Sequence, residues 1–249
     1  MLGTHERADE CGVDLDLSRR CGVIAHIDSV RAKRASRTGE FSRHTWGMTA
    51  DIPDNKRFNH TIRYQSMLLA ELPEGAKTAI DAGTGEGLAA RTLARAGLTV
   101  TGIDADEPSI ERARAQWSDN ITYVVGDIFE TELEPADVVY SGALLHHMDI
   151  REGLERLKSW VAPGGRLYVV GAARATWRDL PREFAGSIVD KAFVIVKGRW
   201  EHGCPTVWPP PHTFTEVKRA VDEVLPGALY KNRVLWRYTI EWNRPLDEA

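Results

Sequence analysis

The chain has 249 residues and a mass of 27.8 kDa, which suits one large α/β domain with additions, because single domains commonly hold about 100–200 residues. Hydrophobic residues make up 43% and charged residues 27%, an ordinary globular composition that excludes a wholly disordered or fibrous chain. The net charge of −4 provides no overall basic field for a polyanion, so we expect no nucleic-acid partner.

The three cysteines show neither a CxxC pair nor a Cys/His cluster at zinc spacing, so we expect no structural metal and a reducing setting. The first residues lack the apolar core of a secretory signal. No run approaches the roughly 18 apolar residues that a spanning helix needs. The sequence therefore predicts a cytoplasmic protein with no membrane partner.

The first 47 residues have no sustained helical or strand period, and residues 31–43 are polar and rich in arginine. We expect residues 1–47 to form a flexible tail before a domain at 48–249. A helical period then places Ile62, Met67, Leu68 and Leu69 near one face of a helix that Pro73 ends.

Five short β-rich runs follow, and helical segments separate them. Buried strands that alternate with helices predict a Rossmann-like α/β fold, a doubly wound and mostly parallel sheet with helices on both faces. Residues 172–213 are long enough for a lid or substrate loop, and residues 229–242 predict one long or two short antiparallel strands, which brings the sheet to seven strands. The five runs are 78–83, 98–104, 121–127, 136–142 and 165–171.

A glycine-rich turn joins the first predicted strand to the next helix. Asp81 is followed by Gly83, Gly85 and Gly87, and glycines here let the backbone turn tightly and approach a ligand. The dinucleotide fingerprint GxGxxG needs a small third residue where this chain has Leu88, so the spacing disfavours NAD.

An acidic residue in the first strand, the GxGxG turn and an aspartate ending the second strand together resemble the class I S-adenosylmethionine (SAM)-dependent methyltransferases. The resemblance covers about residues 54–249. It implies SAM as cofactor, S-adenosylhomocysteine (SAH) as product, and a loop that passes under the methionine part of SAM. The alternative is a glycine turn that serves only to reverse the chain. The cofactor residues implied at this loop are Asp81, Ala82, Gly83, Thr84 and Gly85.

The same resemblance assigns the next two strand ends. Asp104 corresponds to the acidic ribose ligand, with Ala105 beside the adenine, while Asp106 is the alternative acid or a helix cap. Asp127 corresponds to the acid that accepts from the adenine amino group, and Ile128 to the residue that packs on the ring. An ordinary turn aspartate is the alternative for Asp127.

After the fourth strand, Ser141 and Gly142 would offer backbone to the sulfonium end of SAM. One of the adjacent pair His146 and His147 is a candidate base, and a structural role is its alternative. By analogy Tyr64 closes over the methyl donor, unless it is a plain helix aromatic.

The chain shows neither the metal-binding acids of catechol-type methyltransferases nor the Asn-Pro-Pro-Tyr motif of amino-group methylation of DNA and glutamine. The resemblance therefore implies metal-free SN2 transfer to an O or N atom of a small molecule, as in small-molecule methyltransferases of actinomycete-type bacteria. Two alternatives remain, a cyclase-like protein that binds SAM without methylating, and an RNA methyltransferase that uses the Arg-rich tail. A homodimer is also compatible with the sequence.

Overall fold

The computed structural model describes residues 54, 60–116, 119–187 and 208–246. The tail expected at 1–47 and most of the second half of the 172–213 segment lie outside these residues. The helices are α1 His60–Leu68, α2 Leu88–Arg95, α3 Glu107–Arg114, α4 Ile150–Ser159 and α5 Phe214–Val224, with a further helical segment at 180–187. The strands are β1 Thr78–Ala82, β2 Thr99–Asp104, β3 Ile121–Val125, β4 Ala136–Gly142, β5 Val161–Ala172, β6 Leu229–Asn232 and β7 Arg237–Asn243.

The strands form one seven-stranded sheet in the order β3-β2-β1-β4-β5-β7-β6. Strands β1 to β5 pair in parallel, and β7 pairs antiparallel with both β5 and β6. This confirms the predicted mostly parallel sheet and the antiparallel C-terminal strand. Because β1 to β4 are parallel, their carboxyl ends meet at one edge, where open α/β sheets bind ligands.

Two apolar clusters cover the two faces of the sheet. One contains residues of α4 and α5, and the other contains residues of α1, α2 and α3. The alternation of strand side chains explains the division: Ile80 and Ala82 of β1 point into the first cluster, and Ala79 points into the second. No described helix is both long and apolar enough to cross a membrane.

Local signals set the helix starts. Asp106 precedes α3 and accepts a hydrogen bond from the Ser109 amide at 3.2 Å, and Asp149 accepts from the first amides of α4. Thr213 and Glu216 form a complete capping box at α5.

Two expectations need correction. Met67 was expected on the core face of α1, but its side chain is 52% exposed, while Tyr64 and Gln65 are buried. The α1 period is weak, and contacts with β5 and β7 decide which face is covered. Strand β5 also begins at Val161, before the predicted start at Gly165, because Val161 pairs with Ala136 ahead of a bulge.

Candidate active site

The glycine loop between β1 and α2 is shaped by close neighbours. Gly83, Gly85 and Gly87 have φ values of 72°, 52° and 78°, a region that residues with a Cβ rarely adopt. A Cβ on Gly87 would lie 2.3 Å from the Tyr123 hydroxyl, and one on Gly83 would lie 3.1 Å from the Leu144 side chain. The loop therefore requires glycine for both its conformation and its packing.

Asp81 fixes the loop from inside the protein. Its carboxylate Oδ2 accepts hydrogen bonds from the Thr84 hydroxyl at 2.6 Å and from the Ala90 amide in the first turn of α2 at 2.9 Å. The side chain is buried, and burial raises the pKa of Asp81 from 3.8 to about 6, against the opposing effect of these two bonds. Asp81 thus joins the end of β1 to the start of α2.

Asp104 stands at the end of β2 and meets the same loop. Its Oδ2 accepts from the Gly85 amide at 2.8 Å, and its Oδ1 accepts from the Asp106 amide at 2.9 Å. Asp106 instead uses its side chain to cap α3. The structure therefore separates the two acids: Asp104 faces the glycine loop and Asp106 belongs to the helix.

The expected adenine residues follow β3. Asp127 is exposed, and its Oδ1 accepts from the Phe129 amide at 2.8 Å, so it forms the turn that was its alternative role. Ile128 is buried against the α4 and α5 side of the core, whereas Ala105 is exposed. This hydrogen bond holds Asp127 at the carboxyl end of β3 and uses only its Oδ1.

The expected cofactor residues lie side by side across the sheet. Asp127 follows β3, Asp104 ends β2, the glycine loop follows β1, and Ser141 and Gly142 end β4. Three strand spacings separate β3 from β4, about 14 Å. The family resemblance assigns the adenine, ribose and methionine parts of SAM to these strand ends in this order, and that assignment stays a prediction.

Comparison with known proteins identifies the family. The family described as "Methyltransferase domain" matches residues 80–169. An uncharacterized methyltransferase of Mycobacterium bovis is 36% identical over 193 residues, which cover 76% of this chain and 98% of that protein. The chain belongs to the class I SAM-dependent methyltransferases.

Two further relatives show how far the similarity reaches. Eugenol O-methyltransferase of Ocimum basilicum is 28% identical to this methyltransferase over 147 residues, which cover 54% of this chain but only 41% of that protein. The plantazolicin methyltransferase BpumL, solved in complex with SAH, matches with a TM-score of 0.52 at 12% identity, covering 74% of this chain and 82% of that one. The second likeness shows the fold alone.

SAM fits the described residues of this methyltransferase. The Ser141 hydroxyl is buried at the end of β4 and has no hydrogen-bond partner in the described part of the chain. Asp104 is only partly buried, so its oxygens remain within reach of ribose hydroxyls.

The two candidate bases have different surroundings. His146 is buried, and burial, helped by the positive charges of His147 and Arg237, lowers its pKa to about 3. Its Nδ1 has no hydrogen-bond partner within the described ranges. Part of the His147 ring surface is exposed, but its partial burial lowers the pKa of His147 more than the charge of Asp104 raises it. Both rings are therefore neutral at neutral pH.

The surroundings of Tyr64 come from α1 and from the segment before β7. It is buried on α1, which packs on β5 and β7, and the Arg233 guanidinium lies 5.5 Å from its ring centre. Burial raises the pKa of the Tyr64 hydroxyl. The structure thus places Tyr64 near the start of β7, and a role over the methyl donor stays a prediction.

Sequence reasoning missed two arginines that hold the glycine loop. Arg91 is buried, donates from Nε and Nη2 to Asp54, and donates from Nη1 to the Glu86 carbonyl at 2.6 Å. Arg112 of α3 donates to the Glu86 carboxylate at 3.0 Å. The sequence predicts that both arginines lie on helices, but no sequence signal indicates that both contact Glu86 in the loop.

Proposed function

We propose that this methyltransferase transfers the methyl group of SAM to an O or N atom of a small-molecule acceptor, without a metal. The 2.8 Å bond between the Asp104 carboxylate and the Gly85 amide is the observation that carries the proposal. This bond joins Asp104, the expected ribose ligand, to the glycine loop that is expected to hold the methionine part of SAM. The name of eugenol O-methyltransferase supports oxygen as the acceptor atom.

The protein's contribution in this proposal is positioning. Bound SAM supplies a methyl group already activated on a positively charged sulfur. Transfer would join the acceptor atom to the methyl carbon and release SAH, and an acceptor that is not already ionised would pass its proton to a base or to water. Asp81 and Asp104 hold the glycine loop, and the ends of β4 and β5 form the side from which an acceptor approaches.

A base is needed only when the acceptor is not already ionised. The charge of Arg237 acts on His146 and that of Asp104 acts on His147, so we favour His146 as the base for an acceptor bound near Arg237. A neutral imidazole with a low pKa is a weak proton acceptor, so we propose His146 as the base only for an acidic hydroxyl. Its replacement would then lower kcat most at low pH.

Calorimetric titration with SAM and with NADH tests the cofactor. We expect micromolar binding of SAM, and a loss of affinity of at least about tenfold in Asp104→Ala. Asp106→Ala is the matched control, because it removes the neighbouring carboxylate that caps α3. It should lower stability and leave SAM affinity unchanged. Preference for NADH, or equal losses in both variants, would contradict the assignment.

Turnover tests the reaction itself. Formation of SAH in step with a methylated acceptor from a panel of phenols and amines supports the proposal. Product formed without SAH would point to a cyclase-like reaction. Activity on RNA alone would contradict the small-molecule acceptor and the absence of a nucleic-acid partner.

The cellular setting and assembly belong to the same proposal. We propose that the protein is cytoplasmic and forms a homodimer. Light scattering of the purified chain at assay concentration decides the second point, since a single monomer mass would contradict it.

A further inference from the structure

A second polar group lies beside the cofactor residues, at the start of β7. Arg237 is the first residue of β7 and pairs with Ala172, the last residue of β5. The side chain is partly buried, and its Nε is fully buried with no hydrogen-bond partner. In residues 54, 60–116, 119–187 and 208–246, no ion pair or side-chain hydrogen bond involves Arg237.

The other buried arginine shows what Arg237 lacks. Arg91 is more deeply buried than Arg237, and it directs its guanidinium at the Asp54 carboxylate and at the Glu86 carbonyl. Burying a guanidinium N–H group without such an acceptor is costly, and this is the situation of the Arg237 Nε. Burial also lowers the pKa of Arg237. The requirement is for an acceptor of hydrogen bonds, preferably one with negative charge.

The carboxylate of Glu183, whose charge acts on Arg237, does not meet this requirement. Glu183 acts on Arg237 electrostatically, but its Oε1 accepts from Arg182 at 2.9 Å and its Oε2 accepts from the Trp236 amide at 2.8 Å. His146, on whose ring the charge of Arg237 acts, also has an unpartnered buried nitrogen. Arg237 and His146 thus each have a buried nitrogen without a partner in the described residues, and they lie close enough for the charge of one to act on the other.

We infer that Arg237 binds a carboxylate of the methyl acceptor, an inference that rests on the proposed function. A guanidinium offers two parallel N–H donors that match the two oxygens of a carboxylate. Two strand spacings, about 10 Å, separate β4 from β7 in the sheet. A rigid ring between the carboxylate and the methylated atom would bridge part of that distance, with the Arg237 side chain covering the rest, and the charge of Arg237 acts on the buried Tyr64. The acceptor class is an aromatic acid that carries a hydroxyl or amino group.

Binding of simple aromatic acids to the protein saturated with SAH tests this inference. The probes are ortho-, meta- and para-hydroxybenzoate, each compared with its uncharged hydroxybenzamide. We expect at least one acid to bind at millimolar concentration and to bind at least about tenfold more tightly than its amide. Failure of every acid, or equal binding of acid and amide, would overturn the inference.

Substitutions assign the effect to Arg237. Arg237→Gln should reduce binding of the acid about tenfold or more and leave SAH affinity and amide binding unchanged. Arg233→Gln is the matched control, because Arg233 lies over the same Tyr64 ring but is bonded to Thr239. Equal losses in the two variants would also overturn the inference.

Two further readouts keep the test decisive. If Arg237→Gln does not fold, Arg237→Lys replaces it as the test. Lysine keeps the positive charge but lacks the two parallel N–H donors of the guanidinium, so we expect this variant to bind the acid more weakly than the wild type. Unchanged acid binding in Arg237→Lys and Arg237→Gln would refute the role of Arg237. Loss of SAH binding in the wild-type protein would instead refute the proposed function, so the two failures are distinguishable.

Discussion

The main chain at Gly87 combines a left-handed conformation with a close neighbour, so a methyl group there meets two separate penalties. The left-handed conformation costs a residue with a Cβ about 1–2 kcal/mol. Contact with the Tyr123 hydroxyl at 2.3 Å adds about 1–3 kcal/mol of overpacking. We expect Gly87→Ala to lower the free energy of unfolding by the sum of both, measured by urea denaturation.

Gly75 is the matched control for that variant. Its φ is also +78°, and a Cβ there would meet nothing within 4 Å. Gly75→Ala should therefore show the conformational penalty alone. Equal effects of the two substitutions would mean that the Tyr123 contact does not constrain the loop.

The buried carboxyl of Asp81 should make stability depend on pH. Its folded pKa of about 6 lies above the ordinary 3.8, so the folded protein keeps a proton between these values that the unfolded chain releases. The contribution of Asp81 to the free energy of unfolding is complete below about pH 4. It falls by up to about 3 kcal/mol as the pH rises to about 6. We expect Asp81→Asn, which keeps an oxygen for Thr84 and Ala90, to lack this loss.

The test is the difference in unfolding free energy between the two proteins across pH. The asparagine variant should equal the wild type near pH 4 and exceed it above pH 6. A difference that is constant with pH would show that Asp81 is not the group responsible. A charge kept at such a cost is typical of a functional site.

Among the elements, α3 supports the glycine loop through the Arg112 side chain. Arg112 bonds to the Glu86 carboxylate, and it is 40% exposed, so its contribution to folding is below about 1 kcal/mol. We expect Arg112→Gln to weaken SAM binding several-fold with little change in thermal stability. Arg151→Gln removes an exposed ion pair between α4 and α5 and should leave SAM affinity unchanged. Unchanged affinity in Arg112→Gln would mean that α3 does not position the loop.

Element positions were predictable wherever the signal is local. The strands β1 to β4 follow their predicted ranges closely, and the glycine loop lies where the turn residues indicated. The start of β5 was missed because Pro163 and Gly164 indicate a turn, whereas the chain pairs at Val161 and resumes pairing at Arg166 after a bulge. Only the partner strand reveals that pairing.

For the whole molecule, the limits of sequence reasoning come from contacts between distant segments. The proximity of Asp104 and Gly85 was predictable, since the carboxyl ends of parallel strands share one edge of the sheet. The proximity of Arg237 and His146 was not predictable, because it depends on β7 lying next to β5 and not outside β6. The alternation of β7 indicates only that Arg237 shares a face with Thr239.

The expected tail is tested by deleting it. All expected cofactor residues lie between Tyr64 and His147, so a chain that starts at Met48 should bind SAM within about twofold of the full chain. Calorimetry on both proteins measures this. A large loss of affinity would assign residues 1–47 to the cofactor site, and a loss of activity alone would favour the RNA alternative.

The position of β7 also has a consequence for synthesis of the chain on the ribosome. Strand β5 ends at Ala172, but its antiparallel neighbour begins only at Arg237. At about 5–20 residues per second, the apolar edge of β5 waits several seconds for its partner to be made. An unpaired edge of this kind is where nascent chains associate, so a ribosome stalled within residues 173–236 would leave an aggregation-prone intermediate that chaperones must shield.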